Sequence, residues 1–280
     1  MLKRLSMVFA VSLVLCLSLA AQQAPPPQPL TLWHDFTVNA GKEEEFMVLA
    51  KTVGVPVLDK LMAEGVVQAW GIEVPILRGP GNPTHIVWIS VNDWAGVGKV
   101  QDGIAAQFAK LVADEAKAGK RPAMTTAQRV REVFDASKTR DWLTRDLVSG
   151  YGSKMPKDPL PYARYFFVKV KPSKGAEYRK VWEKYNKPVL EKLVTDGVVM
   201  AWGLGVEEVR TEGTFTHFTW IGVAEMGDWD KVRAGFVADR GHRSEEEQSA
   251  ISDAFNDLTD ADAARGLATR SIMFHVPAPK

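Results

Sequence analysis

Cysteine is almost missing from this chain. The single one, Cys16, lies in an uncharged stretch near the N-terminus, so the remainder can form no disulfide, thiol nucleophile or thiolate metal site. Histidine is scarce as well: there are five, with no HExxH spacing and no clustering. A metal site needs three or four convergent ligands, and none is predicted. No charge of one sign dominates, with 35 Lys and Arg against 34 Asp and Glu, which removes the electrostatic case for a nucleic-acid partner. There is no P-loop, no GxGxxG after a strand and no GxSxG elbow. A mean hydropathy of −0.13, with 46% hydrophobic and 25% charged residues, excludes a disordered chain, a collagen-like repeat and a polytopic membrane protein.

One long uncharged run is present, Met7 to Leu19, preceded by Lys3 and Arg4 and ending in the small-x-small triplet Ser18-Leu19-Ala20. This is the pattern of a secretory signal peptide over residues 1–20, and the run is short for a membrane span. Bulky Leu15 argues against lipoprotein processing at Cys16. The expectation is an exported protein, periplasmic or extracellular, with no stable membrane insertion after processing. Residues 21–30 form a spacer in which Pro25, Pro26, Pro27 and Pro29 prevent regular structure. A second break rich in Gly and Pro, Gly150 to Tyr162, supplies a linker at 153–162.

The segments between the breaks, 31–152 and 163–280, are copies. At a shift of 132, Pro56 to Gly71 lies over Pro188 to Gly203 with 11 of 16 residues identical. At the same shift Thr84-His85-Ile-Val-Trp88-Ile89 lies over Thr216-His217-Phe-Thr-Trp220-Ile221. So long a period means a duplicated domain, not a solenoid.

Each copy predicts the same elements. Leu32–Val38 and Arg164–Val170 are apolar and β-branched, as strands are. Phe46, Leu49, Val53, Val57 and Leu61 recur at helical spacing, as do Tyr178, Val181, Tyr185, Val189 and Leu193. Pro56 and Pro188 should kink or split that helix, and Gly65 and Gly197 should end it. Val66–Leu77 with Thr84–Val91, and Val198–Val209 with Thr216–Val223, read as hairpins around turns at 78–82 and 210–213. Helices follow at Asp93-Trp94 and Asp228-Trp229, then at Thr126 and Ser244 as N-caps, Ser244 with Glu247 as a capping box. Short strands near Leu147–Tyr151 and Ile272–Val276 close the copies.

The order βαββαβ is the ferredoxin-like unit, which gives an α+β fold class. One such sheet is covered by helices on one face only, so the two repeats should pack face to face. With Gly41-Lys-Glu-Glu-Glu-Phe46 after strand one, Trp88 on strand three and Asp93-Trp94 beyond it, the sequence resembles the dimeric α+β barrel superfamily. That group includes antibiotic-biosynthesis-type monooxygenases, NIPSNAP and EthD-like proteins, and haem-degrading relatives. The resemblance implies two tandem ferredoxin-like repeats forming an intramolecular dimeric α+β barrel. It also implies that Trp88 and Trp220 approximate a pocket-shaping position. The Asn and His that accompany it in the haem degraders have no clear counterparts here.

The candidate site residues are the repeated ones. A turn centred near residue 79 predicts that Trp70 faces Trp88 across the hairpin, and that Trp202 likewise faces Trp220. Such pairs are either sheet-stabilising contacts or the aromatic wall of a ligand cavity inside the barrel. The same register sets His85 opposite Glu73; with His217 it is either a base or ligand paired with a carboxylate, or a histidine at a sheet end. His242 occurs in one copy only and is the candidate ligand should haem be bound, as the resemblance to chlorite-dismutase-like proteins allows; otherwise no cofactor is expected. The function expected is binding of a small apolar or aromatic molecule in a barrel cavity. The alternatives are an oxygenase or haem-dependent enzyme of the resembled superfamily, and a structural protein with a solid core. Monomer and homodimer both remain open.

Overall fold

The computed structural model describes residues 28–79, 81–152, 161–209 and 215–275. The signal segment, most of the spacer and linker, and the second-copy turn lie outside the described residues. In chain order the elements are β1 (Leu30–Phe36), α1 (Glu43–Leu49), a π-helical turn (Ala50–Gly54), α2 (Val55–Ala63), β2 (Val67–Pro75), β3 (His85–Val91), α3 (Trp94–Lys117), α4 (Thr126–Val133) and β4 (Arg140–Tyr151). The second half contains β5 (Tyr162–Val170), α5 (Gly175–Tyr185), α6 (Lys187–Thr195), β6 (Ala201–Glu207), β7 (His217–Val223), α7 (Asp228–Gly241), α8 (Glu245–Leu258) and β8 (Thr259–His275).

Local chemistry sets these boundaries. Pro188 sits in the first turn of α6, where its missing N–H costs nothing, and so divides α5 from α6. In the first half the chain reaches Pro56 through the π-helical turn. Gly65 and Gly197 take φ of 73° and 74°, the left-handed conformation that ends a helix. Asp93 caps α3 by accepting from the Gly96 N–H, and Ser244 and Glu247 form a capping box on α8. The first-copy cap on α4 is Thr125, one residue before the expected Thr126, because Gln128 completes its capping box.

The eight strands close into an antiparallel barrel in the order β1-β3-β2-β8-β5-β7-β6-β4. Each half contributes the ferredoxin-like set, β4-β1-β3-β2 and β8-β5-β7-β6, and two seams, β2 with β8 and β4 with β6, join them. The closing strands are far longer than the short ones expected, with 12 residues in β4 and 17 in β8. Each does two jobs. Residues 140–145 of β4 pair with β1 and residues 144–151 with β6. Residues 259–270 of β8 pair with β5 and residues 269–275 with β2.

Side chains alternate across this barrel. Outward-facing residues such as Leu32, Trp70, Ile72 and Ile89 pack under the helices of the first half; Trp202, Leu204 and Ile221 do so in the second. Inward-facing Trp33, Ile86, Trp142, Tyr165, Phe167, Phe215 and Phe218 form a third cluster along the barrel interior. Arg129, 2% exposed, ties the helix layer of the first half together through ion pairs to Glu45, Glu115 and Glu132.

Candidate functional site

The hairpin register differs by one residue from the expected one. Trp88 pairs with Gly71 and Trp220 with Gly203, while Trp70 and Trp202 pair with Ile89 and Ile221. A one-residue slip reverses a side chain's face, so the two tryptophans of each hairpin lie on opposite sides of the sheet. Trp70 and Trp202 are buried under the helices; Trp88 and Trp220 point into the barrel. The repeated Trp-Gly dipeptide has a steric reason: a Cβ on Gly71 would come within 2.8 Å of the Trp88 indole, and Gly203 stands in the same relation to Trp220.

The histidines follow the same correction. His85 pairs with Phe36, not with Glu73, which faces Ile86. His85 packs on the Phe46 ring on the helix side of the sheet, with its Nδ1 3.1 Å from Thr84 Oγ1. Burial lowers its pKa to about 4, so the ring is neutral at physiological pH. His217 repeats this arrangement beside Thr216 Oγ1 at 3.0 Å and the Tyr178 ring. In both halves the threonine hydroxyl accepts a backbone N–H at 2.8 Å, from Val38 just beyond β1 or from Val170 at the end of β5. The Thr-His pair thus fastens the end of strand three to strand one. His275 stacks on Trp70 at 4.4 Å, and His34 Nδ1 is 2.6 Å from Asp141.

Aromatic side chains pack against one another along the inside of the barrel. Trp33 and Trp142 stack at 4.7 Å with an interplanar angle of 10°, and Tyr165 and Phe218 meet Trp33 edge-on. Buried acids punctuate this aromatic core. Glu73 accepts from Trp88 Nε1 at 2.9 Å, Thr269 Oγ1 at 2.6 Å and the Tyr165 hydroxyl at 3.0 Å. Asp146 accepts from Trp220 Nε1 at 3.2 Å. Burial pushes both carboxyls up, Asp146 to about 7. Glu73 pairs with Ser271 across one seam, and Asp146 with Gly205 across the other. Both strand-three tryptophans therefore meet a buried carboxyl, supplied by β2 at one seam and by β4 at the other.

Open space lies outside the barrel, between the second sheet and its helices. A cleft of about 430 Å³ runs over Phe166, Val168, Thr219 and Ile221 of the sheet. Tyr178, Trp182, Asn186 and Leu190 of α5–α6 form one wall; Trp229, Arg233 and Phe236 of α7, with Phe255 of α8, form the other. Trp182 Nε1 donates to Thr219 Oγ1 at 2.9 Å. Arg164 lies over the Phe166 and Trp229 rings at 4.8 and 5.3 Å. Helix length explains why the second half has this opening. The 24-residue α3 carries Phe108 and Val112 into the first core, whereas α7 has only 14 residues. None of Trp70, Trp88, Trp202, Trp220, His85 and His217 lines the cleft. The residues that do were unremarkable in the sequence because most are single-copy: Tyr178, Trp182, Thr219 and Arg164 stand where the first copy has Phe46, Ala50, Val87 and Leu32.

The cleft does not suit a haem iron. Its lining has no histidine, cysteine or methionine, and burial raises the Tyr178 hydroxyl away from the phenolate an iron would need. His242 is exposed at the C-cap of α7 and does not line the cleft. Among the described residues no group of three or more His, Cys, Asp or Glu could hold a metal ion, and no helix is long and apolar enough to cross a membrane.

No protein-family model and no curated protein matches the sequence. Solved structures do match in three dimensions. A candidate monooxygenase from Fusobacterium nucleatum is similar with a TM-score of 0.58 at 12% identity, over 89% of this chain and 95% of that one. A candidate monooxygenase from Lactobacillus acidophilus gives 0.55 at 8% identity, over 89% and 96%. An anthrone oxidase-like protein gives 0.53 at 10% identity, over 89% and 93%. The chain thus has the dimeric α+β barrel fold, with both halves of the barrel encoded in one polypeptide.

Proposed function

We propose that this chain is an exported protein that binds a small aromatic molecule in the cleft of its second half. The observation that carries the reading is the lining itself. Six aromatic side chains (Phe166, Tyr178, Trp182, Trp229, Phe236 and Phe255) surround a space of about 430 Å³ with few polar groups, the usual composition of a small-molecule pocket. The lining holds no carboxylate and no histidine to act as a general base, so the geometry supports binding more directly than catalysis. Titration with methyl 2-naphthoate should quench the fluorescence of Trp182 and Trp229. Val168→Trp and Asn186→Phe, which put bulk into the cleft from the sheet and from the α5–α6 wall, should each weaken that binding at least tenfold while the variants melt near the parent temperature. Unchanged affinity in both folded variants would remove the cleft as the site.

A second reading, oxygenation of the bound aromatic, is favoured by the fold shared with candidate monooxygenases. Oxygen uptake on adding a dihydroxynaphthalene tests it; binding without uptake leaves a binding protein. Export rests on the signal pattern of residues 1–20. Mass spectrometry of the protein from its native compartment should find Ala21 at the N-terminus, and an intact Met1 in a cytosolic fraction would refute it.

A further inference from the structure

One cation stands in an apolar row. The helix-facing positions of β5 are Tyr162, Arg164, Phe166, Val168 and Val170, and the first-copy counterpart of Arg164 is Leu32, a core residue only 4% exposed. An arginine at a core-facing strand position must keep its charge hydrated or neutralised. Arg164 lies over Phe166 and Trp229 at the edge of the cleft, and Arg233 of α7 lines the same cleft. Arg164 also borders a second hollow of about 300 Å³, to which Arg78 and Asn82 contribute from the β2–β3 turn. Neither hollow has an acidic side chain in its lining. None of Arg78, Arg164 and Arg233 forms an ion pair among the described residues. The cleft and its unpaired cations therefore occur together, in one half of a duplicated fold. Nothing in the barrel requires either.

We propose that the ligand of this cleft is an aromatic anion: its rings lie between the second sheet and α5–α7, and its carboxylate, sulfonate or phenolate oxygens meet the Arg164 guanidinium, supported by Arg233. This rests on the cleft being the binding site and adds the ligand's charge. A guanidinium already placed over the Trp229 ring loses little freedom when it receives a planar oxyanion, and its fork of donors fits a carboxylate in two-point contact.

The test uses a matched pair, 2-naphthoate and its methyl ester, titrated against the full processed chain at about pH 8. The wild type should bind the anion roughly tenfold more tightly than the ester. Arg164→Gln should abolish that preference by weakening the anion far more than the ester, with a melting temperature near the parent's showing that the fold is kept. Arg164→Lys should restore part of the preference, and Arg233→Gln should lower it less than Arg164→Gln does. Equal binding of acid and ester by the wild type, or equal weakening of both by Arg164→Gln, would overturn the proposal while leaving the cleft as an apolar site. Binding of neither compound, or ester binding unaffected by Val168→Trp, would instead reject the cleft itself and the anion site with it.

Discussion

Replacing Asp146 with asparagine should flatten the dependence of stability on pH. The carboxyl is buried in the barrel with one hydrogen-bond donor, Trp220 Nε1, and burial moves its pKa from 3.8 to about 7. Its folded-state pKa is thus raised above the unfolded value. The stability it contributes is fully present below about pH 4, where it is protonated in both states. As pH rises the unfolded chain ionises first, and the contribution is lost progressively up to about pH 7. A carboxyl titrating near 7 instead of 3.8 corresponds to at most about 4 kcal/mol. Asparagine keeps an acceptor for Trp220 and has no proton to lose. Urea unfolding of both proteins at pH 4 and pH 8 should show the variant gaining on the parent by up to that amount at the higher pH. Glu73 is displaced in the same direction by burial but contributes equally to both proteins, so the double difference isolates Asp146. An identical difference at both pH values would mean that Asp146 ionises normally inside the fold.

Trp33→Ala should be the most damaging single truncation on the barrel axis. Trp33 is 6% exposed, stacks on Trp142, touches Tyr165 and Phe218, and donates to Thr144 Oγ1 at 2.9 Å. Its removal opens a cavity that the neighbouring side chains of three strands cannot close, and also strands a buried hydroxyl partner. The expected cost is about 3–5 kcal/mol. Trp94, 53% exposed at the start of α3, is the control, and Trp94→Ala should change stability by less than about 0.5 kcal/mol. Similar losses in both variants would show that the interior is not the close-packed core described above.

The parts legible in the sequence were those repeated at one shift and decided locally. The duplication, the element order, the glycine helix ends and the capping box at Ser244 depend on near neighbours. What the sequence hid depends on strand partners. β4 and β8 carry Arg140, Thr144, Asp146, Thr269 and Ser271, polar residues that resemble loop composition until the barrel interior accounts for their alternation. Their own likeness, Arg140-x-x-x-Thr144-Arg145 against Arg265-x-x-x-Thr269-Arg270, falls at a shift of 125, off the 132 that aligns the rest. A hairpin register read one residue away from the true one, with period-two alternation, puts Trp70, Trp202 and both histidines on the barrel side of the sheet, whereas they lie on the helix side. The cleft was least legible because it is defined by missing side chains. Its trace is a few differences between the copies, such as Arg164 standing where the first copy has Leu32 and Thr219 where it has Val87.

The carboxyl beneath each strand-three tryptophan comes from β2 at one seam and from β4 at the other. In a barrel assembled from two identical chains, every codon is read twice, and an acid introduced on one strand must be tolerated at both seams at once. A single gene for both halves removes that constraint. An acid can be gained on one strand and dropped from another without an obligatory echo across the axis. The same freedom lets one half shorten a helix and open a cleft while the other stays closed. Divergence between the halves of this chain is then a record of which positions selection handled one side at a time. The positions that still agree, Trp88 with Gly71 and Trp220 with Gly203, mark what neither half could change alone.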